Sequence, residues 1–588
     1  MEQEKQTRQA PEAWVWEPHL WSLYCLFAKR ILGDLGEYRS ILLAGLPEPE
    51  PIENPSLLPD DDLSSAYSML NDLEDIKRLG KFYTPSPVAS YVLRRLGYPG
   101  EQDGPLLDPA CGTGSFLVEA TRRYLTANPG AKWKDLTREI RGVDIDPVAV
   151  LIARTQVLET VLEAGLQVDG ASLQIDCRDA LAPGSANRDT LFEHIEELEE
   201  LAGYVVGNPP YGKIHSSDPR IAPYKDTVHG HANLYGIFLT LAVSRLKAGG
   251  HLGFVVPRSF ASGLYFKNLR RHLLNELRID EVTVFGSRKG VFSGVLQETL
   301  LFLGTKGEPQ GVTVVREPKD PAELDAGGDD YRAVAVPAGE LTLGPRYDHA
   351  LILSAHPLAR EVLANVRRHS KPLADHGLKA STGRLVWNRA KEHLRTAPGP
   401  DTLRVYWPAN VRPGVFDPGN CEKVKPNYAV LNDKTRSALS LPEDLVVTKR
   451  TSAKEQIRRI EAGFVAGDRL ELAGGFFLEN HLNFIRRVSG EVDLRVVSAV
   501  LNARLTSALF ALVNGNTQVS ATELMHLPLP RELADPRLVA LAGALDAAPA
   551  DQRATLTEAF EVALWEAYGL SEDAVASFLE AGSTSTLK

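Results

Sequence analysis

Apolar positions along the chain recur with different spacings in different stretches. Between residues 12 and 45, Trp14, Leu20, Leu23, Leu26, Ile31 and Leu32 keep a helix-like spacing, and the Pro- and acid-rich run PEPEPIENPSLLPDDD that follows predicts a linker. From about Gly80 to Gly304 the pattern changes to short β-rich runs, GPLLDPAC, IRGVDID, SLQIDC, YVVGNPP, HLGFVVP, VTVFG and TLLFLG, alternating with helical segments. Strands separated by helices predict a doubly wound α/β sheet. A Gly/Pro/Asp-rich passage reads as a second linker over 308–345. Residues 346–530 are mixed, with periodicity too weak to give a topology. Leu538, Leu541, Leu545, Leu556, Phe560 and Leu564 then predict a helical segment over 531–588. The expected organisation is an N-terminal helical segment with its linker (1–75), an α/β domain (76–307), the 308–345 linker, a mixed domain (346–530) and the closing helices. No internal repeat is present.

At 588 residues the chain exceeds what one core supports, since single cores stop growing near roughly 250–300 residues. A hydrophobic fraction of 44% with 24% charged residues is that of an ordinary globular protein. No stretch approaches the ~18–20 continuous apolar residues of a membrane span. The N-terminus MEQEKQTRQAPEAW lacks a signal-peptide core, and Cys25, Cys111, Cys177 and Cys421 have neither metal-ligand nor disulfide spacing. These features lead us to expect a cytoplasmic protein with reduced thiols, no membrane association and no structural metal. The net charge of -11 argues against a generally basic coat, but leaves room for a local basic cleft.

Asp108 to Phe116, DPACGTGSF, follows the apolar pair Leu106-Leu107 and precedes a helical stretch, placing a glycine loop on the first strand-to-helix turn. Glycine there lets the backbone approach a ligand; a tight turn without a ligand is the alternative. VDIDP puts Asp144 at the next strand end, where a carboxylate accepts from ribose hydroxyls, and the third strand runs into Asp179-Ala180-Leu181, where Asp179 is placed to accept from an adenine amino group. Singly, each acid is equally a solvated strand end. In order, Asp108, Asp144 and Asp179 point to an adenosine-type cofactor.

Val205 to Lys213, VVGNPPYGK, ends the fourth strand and is the most specific signal. An aromatic amine is a poor nucleophile because its lone pair is delocalised into the ring. Acceptance of hydrogen bonds from that amine by the Asn208 side-chain oxygen and the Pro209 carbonyl favours a pyramidal nitrogen. Pro209 and Pro210 stiffen the turn and donate no N–H, and Tyr211 offers a π-face worth roughly 1–3 kcal/mol to a stacked base. A sulfonium methyl donor is already activated, so positioning supplies most of the rate.

Glycine loop, acids and NPPY together resemble the gamma-class N6-adenine DNA methyltransferases of bacterial type II restriction-modification systems, with a TaqI-like catalytic domain. The resemblance extends to Gly80-Lys81-Phe82-Tyr83-Thr84-Pro85, similar to the family's first cofactor motif, and to Asn233 through Phe260 after the catalytic turn. It implies S-adenosyl-L-methionine as cofactor, without metal, held by Thr84, Pro85, Asp108, Ala110, Cys111, Gly112, Gly114, Phe116, Asp144, Ile145, Asp179, Ala180 and Asn208. In GVFSGVLQETLLFL, Phe292 falls where the family presents an aromatic to a flipped base, a core aromatic being the alternative. VVTKRTSAKEQIRR, FFLENHLNFI and NGNTQVSATELMHLPLP resemble the target-recognition region of the PstI and XhoI groups. Lys449, Arg450, Lys454, Asn516 and Gln518 are the expected DNA contacts. Arg458 and Arg459 read as part of that face or as a solvated helix face, and residues 514–522 as DNA contacts or as the cap of the next helix. The implied fold is an α/β, doubly wound Rossmann-like methyltransferase sheet with a separate mixed α+β target-recognition domain and helical terminal segments. The implied partners are double-stranded DNA and a separate restriction endonuclease acting on the same site without a stable complex, the chain itself being a monomer.

Overall fold

The computed structural model describes residues 18–50, 63–70, 84–100, 104–169, 171–182, 201–215, 217–285, 299–318, 321–324, 332–420, 425–440, 443–451, 458–467, 475–513 and 519–586. Nine strands build the main sheet: β1 (Leu106–Asp108), β2 (Ile140–Asp144), β3 (Gln174–Cys177), β4 (Ala202–Gly207), β5 (Leu246–Pro257), β6 (Leu277–Val284), β7 (Thr299–Lys306), β8 (Thr313–Glu317) and β9 (Arg332–Val336). Their spatial order is β9-β8-β6-β7-β5-β4-β1-β2-β3. β7 runs antiparallel to β5 and β6, and β9 antiparallel to β8; the other neighbours are parallel.

The chain builds outward from β1 through β2 to β3, then returns to lay β4 on the other side of β1. The order therefore reverses between β1 and β4, and in open α/β sheets that switch point is where ligands bind, beyond the carboxyl ends of the strands. β1 and β4 are buried along their whole length, as parallel strands covered on both faces must be.

One face is covered by α3 (Ser86–Arg95), α4 (Ser115–Ala127) and α5 (Pro147–Glu163), the other by α6 (Leu234–Arg245) and α7 (Lys267–Glu276). α5, PVAVLIARTQVLETVLE, is apolar around most of its circumference because it is sandwiched between the sheet and N-terminal helix α1 (Pro18–Leu35). Arg154 on α5 is 2% exposed; its guanidinium donates to the carbonyls of Leu42, Ala44 and Ile175. The N-terminal segment thus shares the core of the α/β domain.

Residues 308–345 are not a linker. β8 and β9 are a hairpin that lengthens the sheet, with Val314 opposite Ala335 and Val315 opposite Val334. Thr313-Val314-Val315 and Ala333-Val334-Ala335-Val336 carry the pairing.

The C-terminal half is mixed α+β. An antiparallel sheet of β10 (Leu378–Thr382), β11 (Leu445–Lys449), β12 (Ala462–Val465) and β13 (Leu482–Arg487) has the order β10-β13-β11-β12. A five-stranded sheet containing Thr402–Tyr406 and Phe476–Leu478 lies beside it in the chain. The closing helices, Pro536–Ala547, Arg553–Ala567 and Glu572–Thr586, contribute Leu538, Phe560, Leu564, Tyr568 and Phe578 to one core with Leu343, Val366, Ile485 and Val500. They form one body with the mixed region rather than a separate segment. Among the described residues, no single helix is long and apolar enough to cross a membrane.

Candidate active site

The glycine loop leaves β1 at Asp108 and enters α4 at Ser115. Gly112 and Gly114 have φ of 52° and 93°, and a Cβ at 114 would lie 3.0 Å from the Cβ of Ala153 on α5. Left-handed backbone and close approach to a neighbouring helix both require glycine there. The loop is pinned to β2: Cys111 N donates to the Val143 carbonyl at 2.9 Å, and Gly112 N donates to Asp144 Oδ2 at 2.8 Å. Asp144 Oδ1 accepts from Asp146 N at 2.9 Å, so two backbone amides orient the carboxylate across its strand end. Asp146, the second acid of VDIDP, is a helix N-cap: 3% exposed, its side chain accepts from Val148 N and Ala149 N at the start of α5, with Pro147 as first helical residue.

Asp108 is 1% exposed and its Oδ1 accepts from Ala110 N at 3.1 Å. Burial pushes its carboxyl up to about 8, opposed by the Ala110 N–H and reinforced by the charge on Asp144. A Cβ at Gly207, the last residue of β4, would come within 3.0 Å of Asp108 Oδ1, so glycine at 207 lets β4 pass the carboxyl.

Ile145 is among the few large apolar side chains left exposed in the described residues, at 38%, beside Asp144. Asp179 follows β3 and forms an ion pair with Arg220 at 3.1 Å, while its Oδ1 accepts from Leu181 N. Arg220 belongs to a short 3-10 turn beyond the NPPY residues and also grips Asp218. Nothing in its surroundings in the sequence singled it out. Ala180 is partly buried against the core under the α6 face. Cys111 and Phe116, expected at the cofactor, have side chains packed in the core at 6% and 2% exposure. They support the loop from beneath and offer the site only backbone.

Asn208 emerges from the end of β4 and is partly exposed. Its Nδ2 donates to Thr84 Oγ1 at 3.1 Å, and its Oδ1 accepts from the Tyr211 hydroxyl at 2.7 Å. Pro209 is buried and Pro210 partly buried, holding the turn between them. The Tyr211 ring is 9% exposed and edge-on to Tyr235, with ring centres 6.1 Å apart. In this structure its hydroxyl, not an open π-face, meets Asn208. Thr84 and Pro85 enter the site through α3, which Pro85 starts as N-cap residue. α3 is anchored by Glu281 of β6, a buried carboxylate that accepts from Tyr91 at 2.5 Å, Arg95 Nε at 2.8 Å and Arg316 Nε at 3.0 Å. Phe292 lies outside the described residues. Among the described residues, no group of three or more His, Cys, Asp or Glu is placed to hold a metal ion.

The three C-terminal segments converge. Arg450, at the end of β11, donates its backbone N–H to His481 O at 2.8 Å and accepts from Val519 N at 2.7 Å. Asn483, fully buried, donates to Val519 O at 2.6 Å. His481 is held at Nδ1 by the fully buried Glu479, at 2.8 Å, with its ring half exposed. Lys449 and Arg450 have partners within the chain: Lys449 pairs with Glu461 at 2.6 Å, and Arg450 Nη1 donates to Asn480 O at 3.1 Å. Lys454, Asn516 and Gln518 lie outside the described residues. Arg459 is on neither the DNA-facing nor the solvated face that the sequence offered. It is 6% exposed, with its guanidinium 5.9 Å from the centre of the Phe510 ring. Ser520 takes the capping alternative: its hydroxyl accepts from Glu523 N, and its own N–H donates to the Glu523 carboxylate. A cavity of about 470 Å³ in this half is lined by Arg458, Arg495, Arg504 and Arg553 among others; no residue of the glycine loop or the NPPY turn lines it.

Residues 138–292 match the Eco57I restriction-modification methylase family, and residues 88–176 the RMKL-like methyltransferase domain. The chain is 27% identical over 486 residues to the type II methyltransferase M.PstI of Providencia stuartii, covering 81% of this chain and 91% of that one. It is also 27% identical over 483 residues to M.BsuBI of Bacillus subtilis, covering 78% and 89%. Among solved structures it resembles the type IIL restriction-modification enzyme MmeI in complex with DNA, with a TM-score of 0.55 and 14% identity over 97% of this chain and 90% of that one. The DrdV–DNA complex gives 0.52 and 15% over 82% and 59%. Both structural likenesses concern the fold.

Proposed function

We propose that this chain, a relative at moderate identity of the type II restriction-modification methylases with an α/β methyltransferase fold, is a modification enzyme that methylates the N6 amine of a flipped adenine in duplex DNA. The observation that carries this reading is the Asn208 carboxamide, held between Thr84 and Tyr211 at the β1/β4 switch point, one strand from the glycine loop.

The residues on the other side of the switch point fit S-adenosyl-L-methionine. The glycine loop supplies backbone without Cβ obstruction, Asp144 a fixed carboxylate for the ribose hydroxyls, and Ile145 an exposed apolar surface for the adenine ring. Asp108 supplies a buried carboxyl for the cationic methionine end. When bound, this cofactor supplies a methyl group already activated by its positive sulfur. The Asn208 oxygen and the Pro209 carbonyl then accept from the target amine and aim its nitrogen at that methyl. The alignment carries the rate through positioning.

The reading extends to a gamma-class order of motifs, to Tyr211 and Phe292 as aromatics for the extruded base, and to DNA contacts from the segments that meet at Arg450, His481 and Val519. It also extends to a cytoplasmic monomer that works beside a separate nuclease. The deciding experiment incubates the purified chain with labelled S-adenosyl-L-methionine and mixed-sequence duplex DNA, then identifies the modified nucleoside by mass spectrometry. N6-methyladenine at a defined sequence is expected. Label on cytosine N4, on RNA or on protein glutamine sinks the assignment.

A further inference from the structure

The described N-terminal residues include a further helix, α2 (Leu63–Leu70), outside the α/β sheet. Ser64 and Tyr67 are one turn apart and so share a face, and both are buried, at 2% and 8% exposure. That face is seated on the cofactor-side residues. Ser64 Oγ donates to Thr113 Oγ1 at 2.9 Å and accepts from Gln156 Nε2 at 2.8 Å. Thr113 is the residue between Gly112 and Gly114. The Tyr67 hydroxyl donates to Asp146 Oδ2, and the backbone N–H of Asp146 is one of the two amides that orient Asp144. The Tyr67 ring stands edge-on to the fully buried Phe27 of α1, 6.2 Å between centres, so the face is fastened from behind.

We propose that Ser64 and Tyr67 are positioning residues of the cofactor site. Ser64 clamps the glycine loop through Thr113, and Tyr67 sets Asp144 through Asp146. This rests on the reading of Asp108–Phe116 and Asp144 as the cofactor site. Two glycines in left-handed backbone leave the loop many alternative shapes, and a ligand that needs one of them bears the ordering cost. A hydroxyl clamp on the residue between them lowers that cost before the ligand arrives. The same helix grips the second pillar of the ribose site, so loop and carboxylate are held in register by one external element. Further along the chain Thr84 holds Asn208, which brings the amine end under the same N-terminal region.

The test uses the full chain and S-adenosylhomocysteine as the probe, with titration calorimetry, KM for duplex DNA and melting temperature read in parallel. Ser64→Ala and Tyr67→Phe, which keep the helix and the ring packing, are each expected to weaken the probe roughly three- to tenfold, the effect of one hydrogen bond, with KM for DNA unchanged. Thr113→Val is expected to add nothing in the Ser64→Ala background, and Thr113→Ser, which keeps the hydroxyl that Ser64 holds, to bind the probe as the parent does. Asp144→Ala is the control for the underlying reading. Abolished binding in Asp144→Ala with unchanged affinity in both α2 variants overturns the proposal. So does a joint fall in probe affinity, DNA KM performance and melting temperature, the mark of a merely structural helix. Normal binding in Asp144→Ala removes the cofactor reading itself.

Discussion

The Tyr211 hydroxyl donates to the side-chain oxygen of Asn208 at 2.7 Å, across the Pro209-Pro210 turn that separates them. With Thr84 accepting from the other end of the same carboxamide, the amide plane is held at two points. Removal of the carboxamide and removal of its supports therefore have different expected signatures.

Asn208→Ala takes away the acceptor for the target amine. Methyl incorporation is expected to fall by at least about 10²-fold, the scale of losing one preorganised polar group, while cofactor affinity stays within about threefold. Single-turnover transfer and calorimetry check the two halves separately; near-normal turnover removes Asn208 from the mechanism.

Tyr211→Phe keeps the buried ring and its edge contact with Tyr235 but loses the hydroxyl. The loss of one hydrogen bond predicts a fall in kcat of roughly three- to tenfold with KM for the cofactor unchanged. Tyr211→Ala, which also removes the aromatic surface, is expected to be worse and to raise KM for DNA. An unchanged rate for both variants on duplex DNA is the contrary result.

Asp108 gives a pH dependence. Burial pushes its carboxyl up to about 8, and a cationic ligand beside it favours the ionised form. Binding therefore releases a proton below that value, so affinity for S-adenosyl-L-methionine is expected to tighten from about pH 6 to about pH 8 and to level off above it. Asp108→Asn removes the slope. Stability of the free protein has the opposite sign: the folded value lies above the ordinary 3.8, so stability is lost as the pH rises from there through 8. Calorimetric titrations across the range decide the first point, melting curves the second.

Glu281→Ala takes away the buried carboxylate shared by Arg316, whose side chain is 9% exposed, and by Tyr91 and Arg95 of α3. Breaking such a buried pair costs about 3–5 kcal/mol, with a corresponding drop in melting temperature. Because α3 begins beside Thr84, kcat is expected to fall as well. A melting temperature within about 1 °C of the parent contradicts the anchoring role, given that 1 kcal/mol moves it by a few degrees.

What was legible in the chain was local. Asp108, Asp144, Asp179 and Asn208 were readable because each ends a strand, and strand ends in a doubly wound sheet gather at one edge. The partners of those groups were not: Thr84 for Asn208, Arg220 for Asp179 and Ser64 for Thr113 are joined only by folding. β8 and β9 were missed because turn residues outnumber strand residues between 308 and 345, and pairing with β6 decides the matter where local composition does not. Lys449 and Arg459 show a related limit. A charge in the sequence carries no sign of whether water, a ligand or a neighbouring side chain will meet it, and Lys449 and Arg459 were met by Glu461 and Phe510.

The joint core of the C-terminal half constrains how that half can be exchanged between relatives. Leu538, Phe560, Leu564, Tyr568 and Phe578 share one buried core with Ile485, Val500, Leu343 and Val366. A graft cut at residue 530, where the apolar spacing changes, would strip those side chains from the incoming sheet and leave it with an open flank. A graft that keeps this core intact takes in Leu343 and the terminal helices together, so recombination of this half has to take the tail along.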